Sequence, residues 1–430
     1  MTAEVAIINA GAVAIAADSA VTIGQQKIYN SALKVFSLSK VAPVGIMVYG
    51  NAGLLNVPWE PLLKSYREEL ANFEFDTLAE YVDDFFEYIA KHKRFFPTDA
   101  KSGWIQGSVG SYYLFMRSEV EKSIREIVKK TGSVTNTRTQ AELKKVVDRH
   151  HKSLSSTARL SGFTQAFEKS IRRKYLNLFR KAKDDIFENL TFSRTYLSKL
   201  YDIASFICTR DVFSQNTSGI VVAGFGAEDV YPSVLTHKLE GIVDGRLKCK
   251  REESKSVEIV DPTQCAIVPF AQEDMVDTFM QGWNPAIQNF VLRYVSQLLN
   301  RFPDLIDDSE LQGKPDDKDK VRQRLQRDTR KLFRDFNSQL SDHVQKEHVD
   351  PILNMVGVLP KDELAAMAES LVNLTAFKRK ITHDMETVGG PIDVAVISKG
   401  DGLVWVKRKH YFPADLNQHF FANYFRAASE

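Results

Sequence analysis

Residues 2–18 read TAEVAIINAGAVAIAAD, two short apolar runs on either side of Asn9-Ala10-Gly11. The runs 3–8 and 12–17 have the length of strands, and the glycine tolerates the positive φ of a tight turn. The second run is apolar at every position, as in a sheet that is covered on both faces. This stretch therefore predicts a buried hairpin at the start of the chain, with Thr2 before its first strand and Asp18 after its second.

Strand and helix patterns alternate in blocks along the remaining residues. Strands are predicted at 34–39, 44–49, 219–225, 230–238, 241–248, 257–260, 266–270, 391–398 and 403–407. Helices are predicted after the capping box at Thr77 and at 111–130, 139–154, 163–188, 191–209, 274–301, 319–346 and 361–379. Residues 303–320 are predicted to be a surface connection. Runs of strands separated by runs of helices, without βαβ alternation, predict the α+β class.

Composition limits the classes of protein that fit. The 430 residues exceed a usual single domain, and the net charge of +2 is not that of a polyelectrolyte. Cys208, Cys249 and Cys265 form no C-x-x-C pattern, so a reducing compartment is expected, with neither disulfides nor a zinc site. No apolar run has the roughly 20 residues that a membrane span needs. The N-terminus lacks the basic region of a signal peptide, and we therefore expect a cytoplasmic protein outside the membrane.

Thr2 carries the chemistry that the sequence suggests. If Met1 is removed, Thr2 presents a hydroxyl nucleophile together with a free α-amine, whose pKa of about 7.7–8.0 suits a base. Lys34 could keep that amine neutral, Asp18 could hold Lys34, and the N–H of Gly50 could stabilise an oxyanion. Structural roles compete with each of these: Asp18 could end a strand, and Lys34 could be an exposed lysine.

The spacing of these residues resembles a known family. Thr2, Asp18-Ser19, Lys34-Val35 and Gly50-Asn51-Ala52 are similar to the start of a proteasome β-type subunit and of its bacterial relative. The segments 219–225 and 389–397, the latter beginning with Gly-Gly, resemble later strands of that family. The resemblance implies a four-layer αββα sandwich, threonine-dependent cleavage of peptide or amide bonds, and homo-oligomeric rings served by a regulatory unfoldase. In this chain the sandwich would carry large helical insertions, and no cofactor or metal is expected.

The resemblance also predicts the division of the chain. Core strands are expected at 1–55, 213–272 and 386–430, a helical insertion at 56–212, and an enlarged helical layer at 273–385. The chain departs from the family in the outer support of the nucleophile. Pro269-Phe270-Ala271-Gln272 replaces a serine-glycine-serine element, and Val388 replaces a serine before the glycines. Met385 replaces a supporting aspartate, which leaves Asp384 and Glu386 as candidates for that role.

Other features of the sequence are better explained structurally. The insertion between residues 121 and 184 is strongly basic, but the solvated faces of amphipathic helices explain such charge runs more often than nucleic acid does. The pairs His150-His151 and His343/His348 lack metal-ligand spacing. Gly389-Gly390 precedes no Gly-Lys-Ser/Thr, so a close backbone approach is expected there rather than a phosphate loop.

Three hypotheses about function remain open at this point. The first is a threonine peptidase related to proteasome subunits, which retains Thr2, Asp18 and Lys34. The second is a catalytically inactive scaffold or interaction protein of the same fold, consistent with the altered outer support. The third is an N-terminal-nucleophile amidase that acts on a small metabolite.

Overall fold

The structure is a computed structural model of the 430-residue chain. It describes residues 2–23, 27–188, 190–306, 315–382, 388–410, 412–413 and 415–426.

The described strands are mostly short and the helices are long. The strands are β1 Ala3–Ile8, β2 Val13–Ala17, β3 Val21–Ile23, β4 Lys27–Tyr29, β5 Val35–Ser37, β6 Val44–Gly50, β7 Gly53–Leu54, β8 Val57–Pro58, β9 Ser218–Gly224, β10 Ser233–Val243, β11 Arg246–Arg251, β12 Val257–Glu258, β13 Ala266–Ala271, β14 Asp393–Ser398 and β15 Gly402–Lys407. The helices are α1 Trp59–Leu70, α2 Leu78–Lys91, α3 Thr98–Thr131, α4 Asn136–Ser156, α5 Gln165–Lys174, α6 Leu176–Phe187, α7 Arg194–Thr209, α8 Asp274–Gln281, α9 Pro285–Arg301, α10 Pro315–Val344, α11 Asp350–Val358, α12 Lys361–Ile381 and α13 Gln418–Arg426.

The chain forms two compact units, and each contains one main antiparallel sheet. The first unit comprises Met1–Ala32 and Ile259–Gln418, and the second comprises Leu33–Glu258 and His419–Glu430. Because both sheets are antiparallel and the helices come in separate blocks, the predicted α+β class is confirmed.

The sheet of the first unit has the strand order β13-β1-β2-β14-β15. Helix α12 packs across β1, β2 and β14. Alternate strand residues share an apolar cluster with this helix, as the two-residue period of a strand requires. The cluster includes Val5, Ile7, Ala14, Ala16, Val394, Val396, Leu364, Ala368 and Leu371. The intervening residues on the opposite face, among them Ala6, Ile15 and Ile397, are also fully buried.

The sheet of the second unit has the order β11-β10-β9-β6-β5, with β12 beside β10. Helices α1 and α2 cover one face, and Trp59, Tyr66 and Phe85 join Ile46, Ile220, Val222 and Leu239 in its core. The other face, represented by Met47 and Val221, is buried as well. Helices α3 to α7 enclose another apolar core, which Val243 of β10 joins.

The capping box at the start of α2 is confirmed. The Thr77 hydroxyl accepts a hydrogen bond from the Glu80 amide at 3.4 Å, and the Glu80 carboxylate accepts one from the Thr77 amide at 3.0 Å. The β1 prediction of 3–8 matches the observed strand residue for residue.

Several boundaries were predicted wrongly. The strands predicted at 230–238 and 241–248 belong to one continuous strand, β10, followed by β11, and the register shifts between Leu239 and Gly241. The predicted helix 274–301 breaks after α8, where Gly282 adopts φ 75° and Asn284 caps α9. Residues 315–320 belong to α10 rather than to the predicted connection.

Within the second unit, His237 on β10 predicts a pH dependence of stability. The pKa of this imidazole is lowered to about 4. Burial is the largest cause and the charge of Arg251 is the second, although Glu252 acts in the opposite direction. Its Nδ1 is buried and has no hydrogen-bond partner in the described part of the chain. An unfolded histidine has a pKa of about 6.5, so between pH 4 and 6.5 the unfolded state binds more protons. The free energy of unfolding should therefore fall by on the order of 2 kcal/mol as the pH is lowered through this window.

Urea denaturation at several pH values checks this expectation. The variant His237→Phe should show a flatter pH profile between pH 4 and 6.5, while the exposed-site control His343→Gln should keep the original slope. An unchanged slope in His237→Phe would contradict the assignment.

Candidate functional site

Thr2 lies immediately before β1 and its hydroxyl is already engaged. The Thr2 Oγ donates a hydrogen bond to Oε2 of Glu4 at 2.9 Å. The two residues are two positions apart, so an extended backbone places them on the same face. Both are buried, Thr2 at 7% exposure and Glu4 at 2%. The sequence did not single out Glu4 as a site residue, although a charged residue in a fully buried strand is the kind of signal that could have found it.

Asp18 follows β2 and anchors the start of β1. The antiparallel register pairs Glu4 with Ala17, which brings Asp18 beside Ala3. One carboxylate oxygen accepts from the Ala3 amide at 3.1 Å. The other accepts from Ala20 at 3.2 Å and from Gly389 at 2.9 Å. Asp18 is fully buried, and because Ala3 follows Thr2, this carboxylate fixes the backbone that carries the predicted nucleophile.

The Gly389-Gly390 pair lies against the same region. The Gly389 carbonyl accepts a hydrogen bond from the Ser19 amide at 3.1 Å. Gly390 has φ 79°, and a Cβ at this position would lie 2.7 Å from the Cβ of Asn30. The close backbone approach that was expected here is therefore confirmed. The other predicted supports in this part of the sequence, Asp384 and Glu386, lie outside the described residues.

The segment that replaces the serine-glycine-serine element lies beside the strand of Thr2. Strand β13 pairs with β1 so that Ala271 is opposite Ala3. Ala271 has φ 62°, an unusual left-handed conformation for a residue with a side chain. Gln272 follows it, is 6% exposed, and its side-chain oxygen accepts a hydrogen bond from Arg379. Gln272 is a second polar residue near the start of β1 that the sequence did not predict as part of a site.

Lys34 and Gly50 belong to the second unit. Lys34 is only 5% exposed, and its carbonyl accepts from the Val48 amide at 2.9 Å. The alternative of an exposed lysine is therefore wrong. Gly50 ends β6 with φ 78°, and a Cβ there would lie 2.5 Å from the carbonyl oxygen of Thr217. The close packing against Thr217 is enough by itself to require a glycine at position 50. The presence of this glycine therefore does not test the proposed oxyanion hole, which stays a prediction.

Ion pairs occupy several residues of the basic helical insertion. Arg172 Nε lies 2.9 Å from Asp202, and Lys174 and Lys183 contact Asp244 and Asp184. Such pairing favours a structural explanation for part of this charge.

Neither histidine nor cysteine residues gather into a metal site in the described ranges. The His150 ring lies between the Tyr112 hydroxyl at 2.9 Å and Glu119 at 2.7 Å, and no group of three or more His, Cys, Asp or Glu side chains suited to a metal occurs among the described residues. Burial raises the pKa of Cys208 to about 12 and of Cys249 to about 11, which keeps both thiols protonated. Of the helices described, none has the length and apolar character to cross a bilayer.

In the described part of the chain, surface cavities of ligand size lie between α9 and α10 and between α1 and α2, and neither of these is lined by Thr2, Asp18 or Lys34. One of about 950 Å³ lies between α9 and α10 of the first unit and is lined by arginines and polar residues. The other, of about 700 Å³, lies between α1 and α2 of the second unit.

Comparison of the sequence with protein-family models and with curated proteins returned no match.

Proposed function

We propose that this chain is an N-terminal-nucleophile hydrolase similar to proteasome β-type subunits, which cleaves peptide or amide bonds through an acyl-threonine ester. The observation that carries the proposal is the anchoring of the residue next to Thr2. A buried carboxylate that holds the Ala3 amide fixes the start of β1, and a nucleophile needs such a fixed backbone to attack a carbonyl in a defined direction.

The proposed reaction begins after loss of Met1, a residue outside the described ranges. The Thr2 Oγ transfers its proton to a base and forms a bond to the substrate carbonyl carbon. The leaving amine takes up a proton, and water then hydrolyses the ester and restores the hydroxyl. The free α-amine is one candidate base. The Glu4 carboxylate is another, because it already accepts the hydrogen bond of the Thr2 hydroxyl.

We also propose the four-layer αββα order for the fold. Each unit contains one sheet with helices on one face, and the residues of the other face are apolar and buried. The resemblance adds a homo-oligomeric assembly, an unfoldase that delivers substrate, and a cytoplasmic location as further proposals.

An inactive scaffold of the same fold is the second candidate, and the burial of Thr2 favours it. With 7% exposure and its hydroxyl bound to Glu4, Thr2 offers little surface to a substrate. The two candidates differ in whether removal of Met1 opens this residue to an electrophile.

The intact mass of the purified protein, measured before and after treatment with an epoxyketone or a β-lactone, tests the proposal. We expect loss of Met1 and addition of one probe, which peptide mapping places on Thr2. Denatured protein serves as the control for non-specific labelling. Retention of Met1, or a free Thr2 that never reacts, would contradict the hydrolase and favour the scaffold.

A further inference from the structure

The cavity of about 700 Å³ between α1 and α2 has aromatic walls. Tyr66 and Tyr88 meet edge to face with 5.2 Å between ring centroids, and Phe73 and Phe75 do so at 4.8 Å. Phe73 lies between the two helices and is 59% exposed. Ligand pockets are lined predominantly by hydrophobic and aromatic side chains, and this group of rings around a cavity fits that description.

Carboxylates complete the lining of the same cavity. Asp84 accepts a hydrogen bond from the Tyr66 hydroxyl at 2.8 Å, and Glu87 pairs with Lys91. Glu69 also lines the cavity and forms no ion pair with any described side chain. The cavity therefore combines aromatic faces with negative charge that its own basic residues do not neutralise.

The surrounding segment is strongly acidic although the whole chain is not. Residues 59–92 include nine Asp and Glu but three Lys and Arg, a net charge of −6 in a chain of net charge +2. The negative charge of this segment also affects the ring hydroxyls. Burial is the largest cause of the raised pKa of Tyr66, and the hydrogen bond and charge of Asp84 raise it further. Burial raises the pKa of Tyr88 too, and Glu69 contributes in the same direction.

We propose that this aromatic and acidic groove binds arginine side chains of a basic peptide segment of a partner protein. A guanidinium stacks on aromatic faces and donates paired hydrogen bonds to carboxylates, which matches the two kinds of group that line the groove. The volume lies within the range of sites that hold drug-sized ligands, so it exceeds what a single guanidinium fills. A short peptide that carries two arginines fits this size and charge.

The test uses the full-length protein and the peptide Gly-Gly-Arg-Arg-Gly-Gly with a neutral fluorophore, followed by fluorescence anisotropy at roughly 0.15 M salt. We expect saturable binding, and no binding of the peptide in which citrulline replaces both arginines. Glu69→Gln should weaken the affinity by about threefold or more, and Phe73→Ala by a similar factor. The control Glu68→Gln removes the same charge from the neighbouring exposed residue, which does not line the cavity, and should change the affinity by less than about twofold.

Each altered side chain is exposed, so all three variants should keep the wild-type circular dichroism spectrum. Equal losses in Glu68→Gln and Glu69→Gln, with no effect of Phe73→Ala, would indicate diffuse charge attraction and overturn the proposal. The proposal would also be overturned if spermine competed as effectively as the peptide and if its binding depended on Glu69 but not on Phe73. The groove would then recognise positive charge without the planar guanidinium.

Discussion

Thr2→Ala should lower the rate of amide hydrolysis, and of labelling by a threonine-directed electrophile, by a factor on the order of 10⁴ or more. The substitution removes the Oγ atom that would form the proposed acyl bond, and alanine offers no atom that could replace it. The fold should persist, because the side chain contributes one buried hydrogen bond to Glu4, worth about 1 kcal/mol. Labelling rates followed by intact mass, together with urea denaturation, measure the two effects separately.

Two further variants of this region sharpen the result. Thr2→Ser keeps a hydroxyl at the same position and should retain measurable labelling. Glu4→Gln keeps the shape of the side chain but removes the carboxylate. A rate loss of about 10²–10⁴ in Glu4→Gln would assign proton transfer to this residue, whereas an unchanged rate would leave the α-amine as the base. Full activity of Thr2→Ala would show that the proposed mechanism is wrong.

Asp18→Ala should destabilise the protein by about 3–5 kcal/mol. The substitution leaves the buried amides of Ala3 and Ala20 and the half-buried amide of Gly389 without the carboxylate that accepts their hydrogen bonds. A loss of this size is a large fraction of the 5–15 kcal/mol that usually separates folded from unfolded protein. Equilibrium urea unfolding, with the m value checked for two-state behaviour, gives the free energy directly.

Two controls belong with this experiment. Asp18→Asn retains an acceptor oxygen but directs an N–H group toward an amide, so it should lie between the wild type and Asp18→Ala. Asp83→Ala changes an exposed aspartate on α2 and should alter the stability by no more than about 0.5 kcal/mol. If Asp18→Ala had the same urea midpoint of unfolding as the wild type, the carboxylate would have no structural role, and its three hydrogen bonds would contribute little to stability.

The first hairpin could be predicted because local patterns determine it. Apolar runs of strand length and a glycine-containing turn gave β1 residue for residue and β2 to within one residue. Strand β10 was harder, since Gly241 resembles a break. In the structure, Gly241 allows the Trp104 ring to approach, and an added Cβ would lie 2.3 Å from that ring. The contact with Trp104, which is distant in sequence, thus accounts for a glycine inside β10. The strand continues past it with a register shift where the sequence pattern indicates an end.

The candidate site around Thr2 could be predicted only in part, because it too depends on contacts between residues that are distant in sequence. The position of Asp18 after β2 follows from the sequence, but its bond to Gly389 joins residues 371 positions apart. Glu4 was missed because the burial of a carboxylate depends on the partners that the tertiary structure supplies. Helix α10 shows the reverse. Its apolar residues recur at helical spacing, at Val321, Leu325, Leu332, Phe336, Leu340 and Val344, yet Leu332 remains 58% exposed. Periodicity identifies a face and does not say whether another element covers it.

The link between Asp18 and Gly389 has a consequence for synthesis on the ribosome. The hairpin that carries Thr2 is translated well before the last of its three anchoring amides, because Gly389 follows Asp18 by 371 residues. Helix α12 and strands β14 and β15 of the first unit are also made after every strand of the second unit's sheet. A nascent chain can therefore hold the folded sheet of the second unit while the bond between Asp18 and Gly389 is still missing. The proposed nucleophile would be inactive during translation, and newly made chains would be protected from premature cleavage.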